Sequence, residues 1–303
     1  MTEIPEASAA VDFSRLLVVM RPKLHRYCAR MVGSVIDGED VLQDALIKAV
    51  EAHAAAGEVG NAIENPEGWL FRIAHNTALD FLRRRQRQEA LHAAEEVDMM
   101  PDQLDAVASR EIASASLRTF MRLPVAQRAS VILMDVLGCS LREVCEVMEC
   151  SLPAAKAALH RGRTQLRVFA EEPEDVPQAS LTDADRERLG AYVARFNARD
   201  FDAIRAMIAD DVRLELVSKT RLNGKAEVSR YFGNYSGISD WHLVPGMLEG
   251  RPAILVFDPD DRDAGPKYFM LLGWSAGKVA TIRDFRHAAY IVEGADYQLL
   301  REA

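Results

Sequence analysis

The sequence predicts two all-α helical domains, the second a helix-turn-helix, followed by an α+β domain. Three observations carry this. Apolar residues recur at helical spacing through most of the chain up to about residue 170. A short helix, a tight turn and a longer basic helix follow one another between Ser140 and Arg167. From Val212 onward the pattern changes to the two-residue alternation of strands, with turn signals between the runs. At 303 residues the chain exceeds one average domain. Acidic, Pro-containing stretches at 88–108 and 171–182 read as linkers. The domains are therefore 10–87, 109–170 and 183–303.

The first helix covers 12–32. Phe13, Leu16, Leu17, Met20, Leu24, Tyr27, Cys28 and Met31 keep one stripe, and Gly33 ends it. A second helix runs from Asp37 to His53, with Val41, Leu42, Ala45, Leu46, Ala49 and Val50 inward. Glu39, Asp40, Gln43, Asp44 and Lys48 form its polar face. Gly57 to Glu64 reads as a loop. Asn65 then caps a third helix, with Pro66 at its first position, where a missing N–H costs nothing. Leu70, Ile73, Ala74, Thr77 and Phe81 define its buried stripe. Arg72, Asn76, Asp80, Arg83, Arg84 and Arg87 lie on another face, with Asp80 and Arg84 four apart and able to pair. Cations mixed with an amide suit a surface that holds phosphates and reads base edges. Trp69, in the first turn, is placed to stack on an unpaired base. On helix pattern alone, a solvated basic helix with a core Trp is the favoured reading.

In the second domain, Leu117, Met121 and Leu123-Pro124 lead into Arg128, Val131, Ile132 and Met134. Gly138 and Cys139 break the helix, and Ser140 with Glu143 makes an S-x-x-E capping box for Leu141–Met148. Glu149 and Cys150 turn the chain. Ser151 caps the next helix, with Pro153 in its first turn. Ser151, Lys156, His160, Arg161 and Arg163 are its candidates for groove and phosphate contacts.

The net charge of −9 argues against nucleic acid until it is localised. Residues 65–87 carry five Arg against Glu67 and Asp80, a net of +3, and residues 151–168 carry +4, while 88–105 carry −6. Local stripes of this kind govern phosphate contact. None of the four cysteines, Cys28, Cys139, Cys145 and Cys150, forms a C-x-x-C pair, and no Cys/His run has zinc-ligand spacing. Reduced thiols in a cytoplasmic protein are expected. The start MTEIPEASAA lacks the basic and apolar regions of a signal peptide. The sequence assigns no catalytic residue, no metal and no cofactor.

The order Pro-x-x-Trp-Leu, Arg-Ile-Ala-x-Asn, Asp-x-x-Arg-Arg within 66–84 resembles the promoter-melting helix of bacterial sigma factors, above all the extracytoplasmic-function group. Gly-Glu-Asp-Val-x-Gln-Asp-Ala at 38–45 is similar to that family's docking segment for the clamp of RNA polymerase, which implies core-binding roles for Asp40, Gln43 and Asp44. The resemblance assigns Trp69, Arg72, Asn76, Asp80, Arg83 and Arg84 to the minus-ten element and the helix-turn-helix to the minus-thirty-five element. It makes RNA polymerase core and promoter DNA the partners, with an anti-sigma protein as a further one. The family's common Lys-Ser-Arg-Leu is Lys156-Ala157-Ala158-Leu159 here, so a cation expected toward DNA is missing at Ala158. The same residues also fit a helix-turn-helix regulator working without core polymerase. The melting helix separates the two readings, because a plain regulator has no use for it.

The last 120 residues or so continue beyond a minimal member of that family. Leu189, Tyr192, Val193 and Phe196 form an amphipathic helix, and a second runs through Met207. Val212–Leu216, Trp241–Leu248, Pro252–Phe257, Tyr268–Trp274 and Val279–Ile291 read as strands, with turns at Glu249-Gly250 and Ala276-Gly277. Phe-Asn-Ala-Arg-Asp-Phe-Asp at 196–202 and Leu-Asn-Gly-Lys-Ala-Glu-Val-x-x-Tyr-Phe at 222–232 resemble the SnoaL-like (NTF2-like) cone, a curved sheet around a pocket suited to a small ligand. Asp240, His242, Asp284 and His287 are its titratable candidates for an isomerase or hydrolase. A surface Arg286–Asp284 pair and a core His287 are the plainer account. Fold likeness transfers no activity, and a domain that regulates the sigma unit in cis is the preferred reading.

Overall fold

The computed structural model describes residues 6–59, 63–90, 116–170, 181–261 and 263–300. The chain divides into two compact units, 1–174 and 175–303. The expected linkers, apart from residues 88–90 and 181–182, and the centre of the 57–64 loop lie outside the described residues.

Among its described residues the first unit is all helical: α1 (Glu6–Val32), α2 (Val35–Val59), α3 (Pro66–Ala90), α4 (Leu117–Met121), α5 (Val125–Val131), a π-helical turn (Ile132–Val136), α6 (Leu141–Met148) and α7 (Leu152–Ala170). Gly33, at φ 80°, ends α1 in the left-handed region open to glycine. Ser34 caps α2 by accepting from the Asp37 N–H at 3.1 Å. The α1 and α2 backbones pass so closely at Gly38 that a Cβ there would sit 2.6 Å from the Ala29 Cα. The helix runs through Gly57, where the sequence suggested a loop. Of its expected buried stripe, Val50 is instead 50% exposed, whereas Glu39, expected in solvent, is fully buried and paired with Arg21. His75, also unforeseen in the core of α3, bonds the Tyr27 hydroxyl at 2.7 Å and ties α3 to α1. Burial holds its imidazole down at about 4, so it is neutral at physiological pH.

The second unit packs α8 (Asp183–Asn197), α9 (Phe201–Met207) and α10 (Lys225–Ser236) with a seven-stranded sheet of order β2-β1-β6-β5-β4-β3-β7. The strands are β1 (Ile208–Leu216), β2 (Thr220–Asn223), β3 (His242–Leu248), β4 (Arg251–Phe257), β5 (Tyr268–Ser275), β6 (Lys278–Asp284) and β7 (Tyr297–Leu299). β1 and β6 pair in parallel and every other pair is antiparallel, so the sheet is more than the meander the sequence suggested. Glu249-Gly250 and Ala276-Gly277 have φ of 49°, 77°, 48° and 77°, the double positive φ that tight hairpins need. β6 stops at Asp284 rather than continuing to Ile291. There the Arg286 N–H turns back onto the Asp284 carboxylate, and Ala289–Val292 forms a 3-10 turn.

The two sequence motifs of this unit are its joints. Asn197 exchanges two hydrogen bonds with the Leu243 backbone, at 2.8 and 3.0 Å. Arg199 donates to the carbonyls of Ser236 and Ile238 and lies 4.9 Å from the Trp241 ring. Phe196 sits among Phe201, Phe232, Tyr235 and Trp241, with centroids 5.1–6.2 Å away. Among the described residues no helix is long and apolar enough to cross a membrane.

Candidate nucleic-acid interface

Asn65 and Pro66 start α3 as the sequence implies: the Asn65 side chain accepts from the Gly68 N–H at 3.0 Å. Leu70, Phe71, Ala74, Thr77, Ala78 and Leu82 are buried, and Ile73 and Phe81 are half-buried at the edge of the same stripe. The opposite face holds Arg72, Asn76, Asp80, Arg83, Arg84 and Arg87, all exposed. Asp80 pairs with Arg83 at 3.2 Å and lies 3.9 Å from Lys48, while Arg84 reaches Asp44 of α2 at 4.0 Å. The anticipated Asp80–Arg84 pair is thus replaced, because α2 packs alongside α3 and offers Arg84 a different carboxylate. Exposed pairs of this kind contribute about 0–1 kcal/mol, so the cations exchange readily for phosphate. Trp69 is half-buried, its ring 6.3 Å from that of Phe13. It is neither a sealed core residue nor a free one. Asp40 and Asp44 are exposed on α2 and Gln43 is half-exposed.

The helix-turn-helix is built by its caps. Ser140 and Glu143 close the capping box with bonds of 3.3 and 2.6 Å. Glu149 takes the left-handed conformation, φ 50°, that ends α6. The Ser151 hydroxyl accepts from the Ala154 N–H at 3.4 Å and starts α7. Gly162 sits where a Cβ would meet the Val131 side chain at 2.7 Å, so α7 lies hard against α5. On the far side of α7, Ser151, Lys156, His160 and Arg161 are exposed.

Arg163 does not join them. Its guanidinium is held by both oxygens of Asp135, at 2.9 and 2.5 Å, and the Asp135 side chain is 3% exposed. That pair raises the pKa of Arg163 and fastens α7 to the π-helical turn. In this structure Arg163, its side chain 30% exposed, is a half-buried strut to Asp135 and not a member of that exposed set. Ala158 is likewise on the buried side, 6% exposed, so the departure there leaves no hole in the outward face. Sequence reasoning also missed Arg128, 4% exposed, which donates to the carbonyls of Met31, Met121 and Leu123.

The titratable candidates of the second unit do not converge on one site. Asp284 is fully buried and accepts from the Tyr231 and Tyr235 hydroxyls, at 2.7 and 2.8 Å, and from the Arg286 N–H at 2.9 Å. The Arg286 side chain goes instead to exposed Asp240, at 2.7 Å, and to the Tyr268 hydroxyl, so the expected surface Arg286–Asp284 pair is not formed. His287 is exposed, 3.4 Å from the Lys219 ammonium, and not a core residue. His242 is half-buried on β3, paired across to Phe257.

Burial raises the Asp284 pKa, and the three donated bonds oppose the rise. The folded unit therefore holds the proton more tightly than the unfolded chain does. Through Asp284, its stability falls as pH rises across the carboxylate range. Asp284→Ala leaves those three donors without an acceptor. At about 1–3 kcal/mol for each unsatisfied donor, the C-terminal unit is expected to lose about 3 kcal/mol or more in urea unfolding. Asp284→Asn should flatten the pH slope. Wild-type stability and an unchanged pH slope in both variants would contradict this account.

The family models of sigma-70 region 2 and sigma-70 region 4 match residues 17–88 and 117–166, the stretches that hold α3 and α7. The solved structure of the extracytoplasmic-function sigma factor SigJ of Mycobacterium tuberculosis aligns with 90% of this chain and 95% of its own, at 19% identity and a TM-score of 0.35. An NTF2-like protein of unknown function from Cytophaga hutchinsonii aligns with 32% of this chain and 94% of its own, at 17% identity and a TM-score of 0.25. The extracytoplasmic-function sigma factor SigG of Mycobacterium tuberculosis is 30% identical over 276 residues, covering 81% of this chain and 73% of that protein. With the two sigma-70 regions in order and this relative matched across both, the chain belongs to the extracytoplasmic-function family of RNA polymerase sigma factors.

Proposed function

We propose that residues 10–87 engage RNA polymerase core through Asp40, Gln43 and Asp44 and capture the melted minus-ten strand on Trp69, Arg72, Asn76, Asp80, Arg83 and Arg84. Residues 109–170 then set Ser151, Lys156, His160 and Arg161 against the minus-thirty-five duplex. The observation that carries this is the pair of exposed, cation-bearing faces on α3 and α7, each opposite its helix's buried stripe. Phosphate contacts from such faces supply affinity and register, and Asn76 and His160 add hydrogen-bonding groups for base edges. The protein works in the cytoplasm, where polymerase and promoter are, and an anti-sigma protein that covers these faces would silence it.

Residues 183–303 regulate in cis by contact and not by catalysis. Asp284, the one fully buried carboxylate of that unit among the described residues, has its oxygens engaged by Tyr231, Tyr235 and the Arg286 N–H and is closed to solvent, so it is not free to take a substrate proton. A module tethered to the sigma unit acts at high effective concentration, so weak contacts suffice to shift which arrangement is populated. Run-off transcription comparing the full chain with one ending near Glu172, at matched core occupancy, tests this. The expected result is altered transcription with core binding retained. Identical activity at every promoter would overturn the regulatory role.

A further inference from the structure

Two thiols meet at the turn of the helix-turn-helix. Cys145 lies in the last turn of α6 and Cys150 just beyond its end, and both are half-buried. On a straight helix, residues five apart point about 140° away from each other. Glu149, at φ 50°, takes the left-handed conformation and bends the chain back. The Cys150 N–H then donates to the Cys145 carbonyl at 3.1 Å, the six-to-one bond of a Schellman turn, which brings the two end side chains together. With that bond made, fixed covalent lengths keep the two Cα atoms within the roughly 7 Å that a disulfide can span. The two thiols are hydrogen-bonded to each other. Burial, and then the adjacent Cys145, raises the pKa of Cys150, so its sulfur rests protonated.

The other two cysteines are placed differently. Cys28 is sealed in the core, where burial holds its thiol far above the usual range. Cys139 is half-buried, its pKa raised by burial and then by the nearby Glu143. Among the described residues no group of three His, Cys, Asp or Glu side chains could hold a metal ion, so Cys145 and Cys150 stand as a dithiol pair. Ser151 follows Cys150 directly. It is exposed at the start of α7, and its hydroxyl caps that helix through a long bond, 3.4 Å, from the Ala154 N–H. The N-terminal end of a recognition helix supplies its base contacts, so any movement of Cys150 reaches the first residue of the candidate DNA-reading face.

We infer that Cys145 and Cys150 form a reversible dithiol–disulfide site, oxidised by hydroperoxides, and that closing the bond weakens duplex reading by α7. The Cys145 thiolate attacks one oxygen of hydrogen peroxide. The O–O bond breaks, the departing hydroxide takes up the thiol proton as water, and Cys145 becomes a sulfenic acid. The Cys150 sulfur then attacks the sulfenic sulfur. The S–O bond breaks, and the hydroxide leaves as water with the Cys150 proton. Two thiols and one hydrogen peroxide give one disulfide and two waters, and a dithiol reductant reverses the step by exchange. Exposed Glu146 and Glu149 flank the pair and repel anionic oxidants, which favours a neutral peroxide. Closing brings the sulfurs from contact to about 2.05 Å, so Cys150 is drawn toward α6 by about 1–2 Å. The long Ser151 cap loosens with it. The consequence for DNA rests on the sigma-factor reading, whereas the disulfide itself does not.

The test uses the full chain, either reduced or treated with hydrogen peroxide and freed of oxidant before core polymerase is added. Alkylation of the unfolded chain with peptide mass mapping should show Cys145 joined to Cys150, and Cys28 and Cys139 alkylated. Affinity of the complex for a promoter with a minus-thirty-five element should fall about tenfold, the worth of one lost base contact, and return with dithiothreitol. Cys145→Ser and Cys150→Ser should each bind alike before and after peroxide, while Cys139→Ser should respond as the unaltered chain does. Free thiols at Cys145 and Cys150 after peroxide, a bond to Cys139 instead, or unchanged affinity with the bond formed would overturn the proposal. A reduced chain that recognises no promoter with core would count against the sigma-factor reading, while the thiol map would still decide whether the pair closes.

Discussion

Arg161→Ala and Arg163→Ala are expected to weaken promoter binding by different routes. Arg161 is exposed on the outer face of α7. Its loss removes one phosphate contact and should lower the slope of log affinity against log salt by about one, with little change in stability. Arg163 is locked to Asp135, whose carboxylate is almost fully buried. Removing the guanidinium strands that charge, at a cost of about 3 kcal/mol, and frees α7 from the π-helical turn. The salt slope should stay near its wild-type value while the helix-turn-helix melts earlier and minus-thirty-five selectivity falls. Asp135→Asn, which removes no cation and strands no buried charge, should loosen α7 in the same direction by a smaller amount. Filter binding across a salt series with parallel denaturation separates the two. A slope lowered by one in Arg163→Ala, with Asp135→Asn silent, would restore Arg163 as a phosphate contact.

Trp69→Ala should cut promoter opening about 5- to 150-fold while duplex binding stays within about twofold, since stacking of roughly 1–3 kcal/mol acts on unpaired bases alone. The half-buried ring also packs near Phe13, which itself stacks on His53 with centroids 3.8 Å apart. Truncation therefore loses some helix packing as well. Trp69→Phe keeps an aromatic face and should recover most of the opening. Permanganate reactivity of minus-ten thymines measures opening, and a mobility shift on the closed duplex measures binding. An equal fall in both would mean that the ring serves the fold of α1–α3 and not the melted strand.

Local chemistry was the legible part of this protein. The Asn65 cap, the Ser140–Glu143 box and the two hairpin turns each depend on residues within a few positions of one another, and each forms as the sequence implies. The exposed face of α3 follows from the same helical periodicity. What escaped depends on partners distant in sequence. Glu39 belongs by spacing to a polar face, but Arg21 supplies a counter-ion across the α1–α2 packing and draws it inside. Nothing local marks Asp135, 28 positions before Arg163, as the acceptor that takes that cation out of the groove set. Asp284 reads as half of a surface pair with Arg286 only if the strand runs on to Ile291. Because β6 ends at Asp284, the carboxylate falls under Tyr231 and Tyr235. The short strands β2 and β7 carry too few residues for an alternating pattern to register.

This chain gives RNA polymerase its promoter rather than regulating on its own. Transcription reconstituted from purified core polymerase, with and without the full chain, on a template carrying a candidate minus-thirty-five and minus-ten pair tests it most directly. A discrete run-off transcript that needs both proteins is expected, and it should be lost when Asp40 and Asp44 are both changed to Arg. Specific duplex footprinting by the chain alone, with no transcript from core that depends on it, would instead make it a helix-turn-helix regulator.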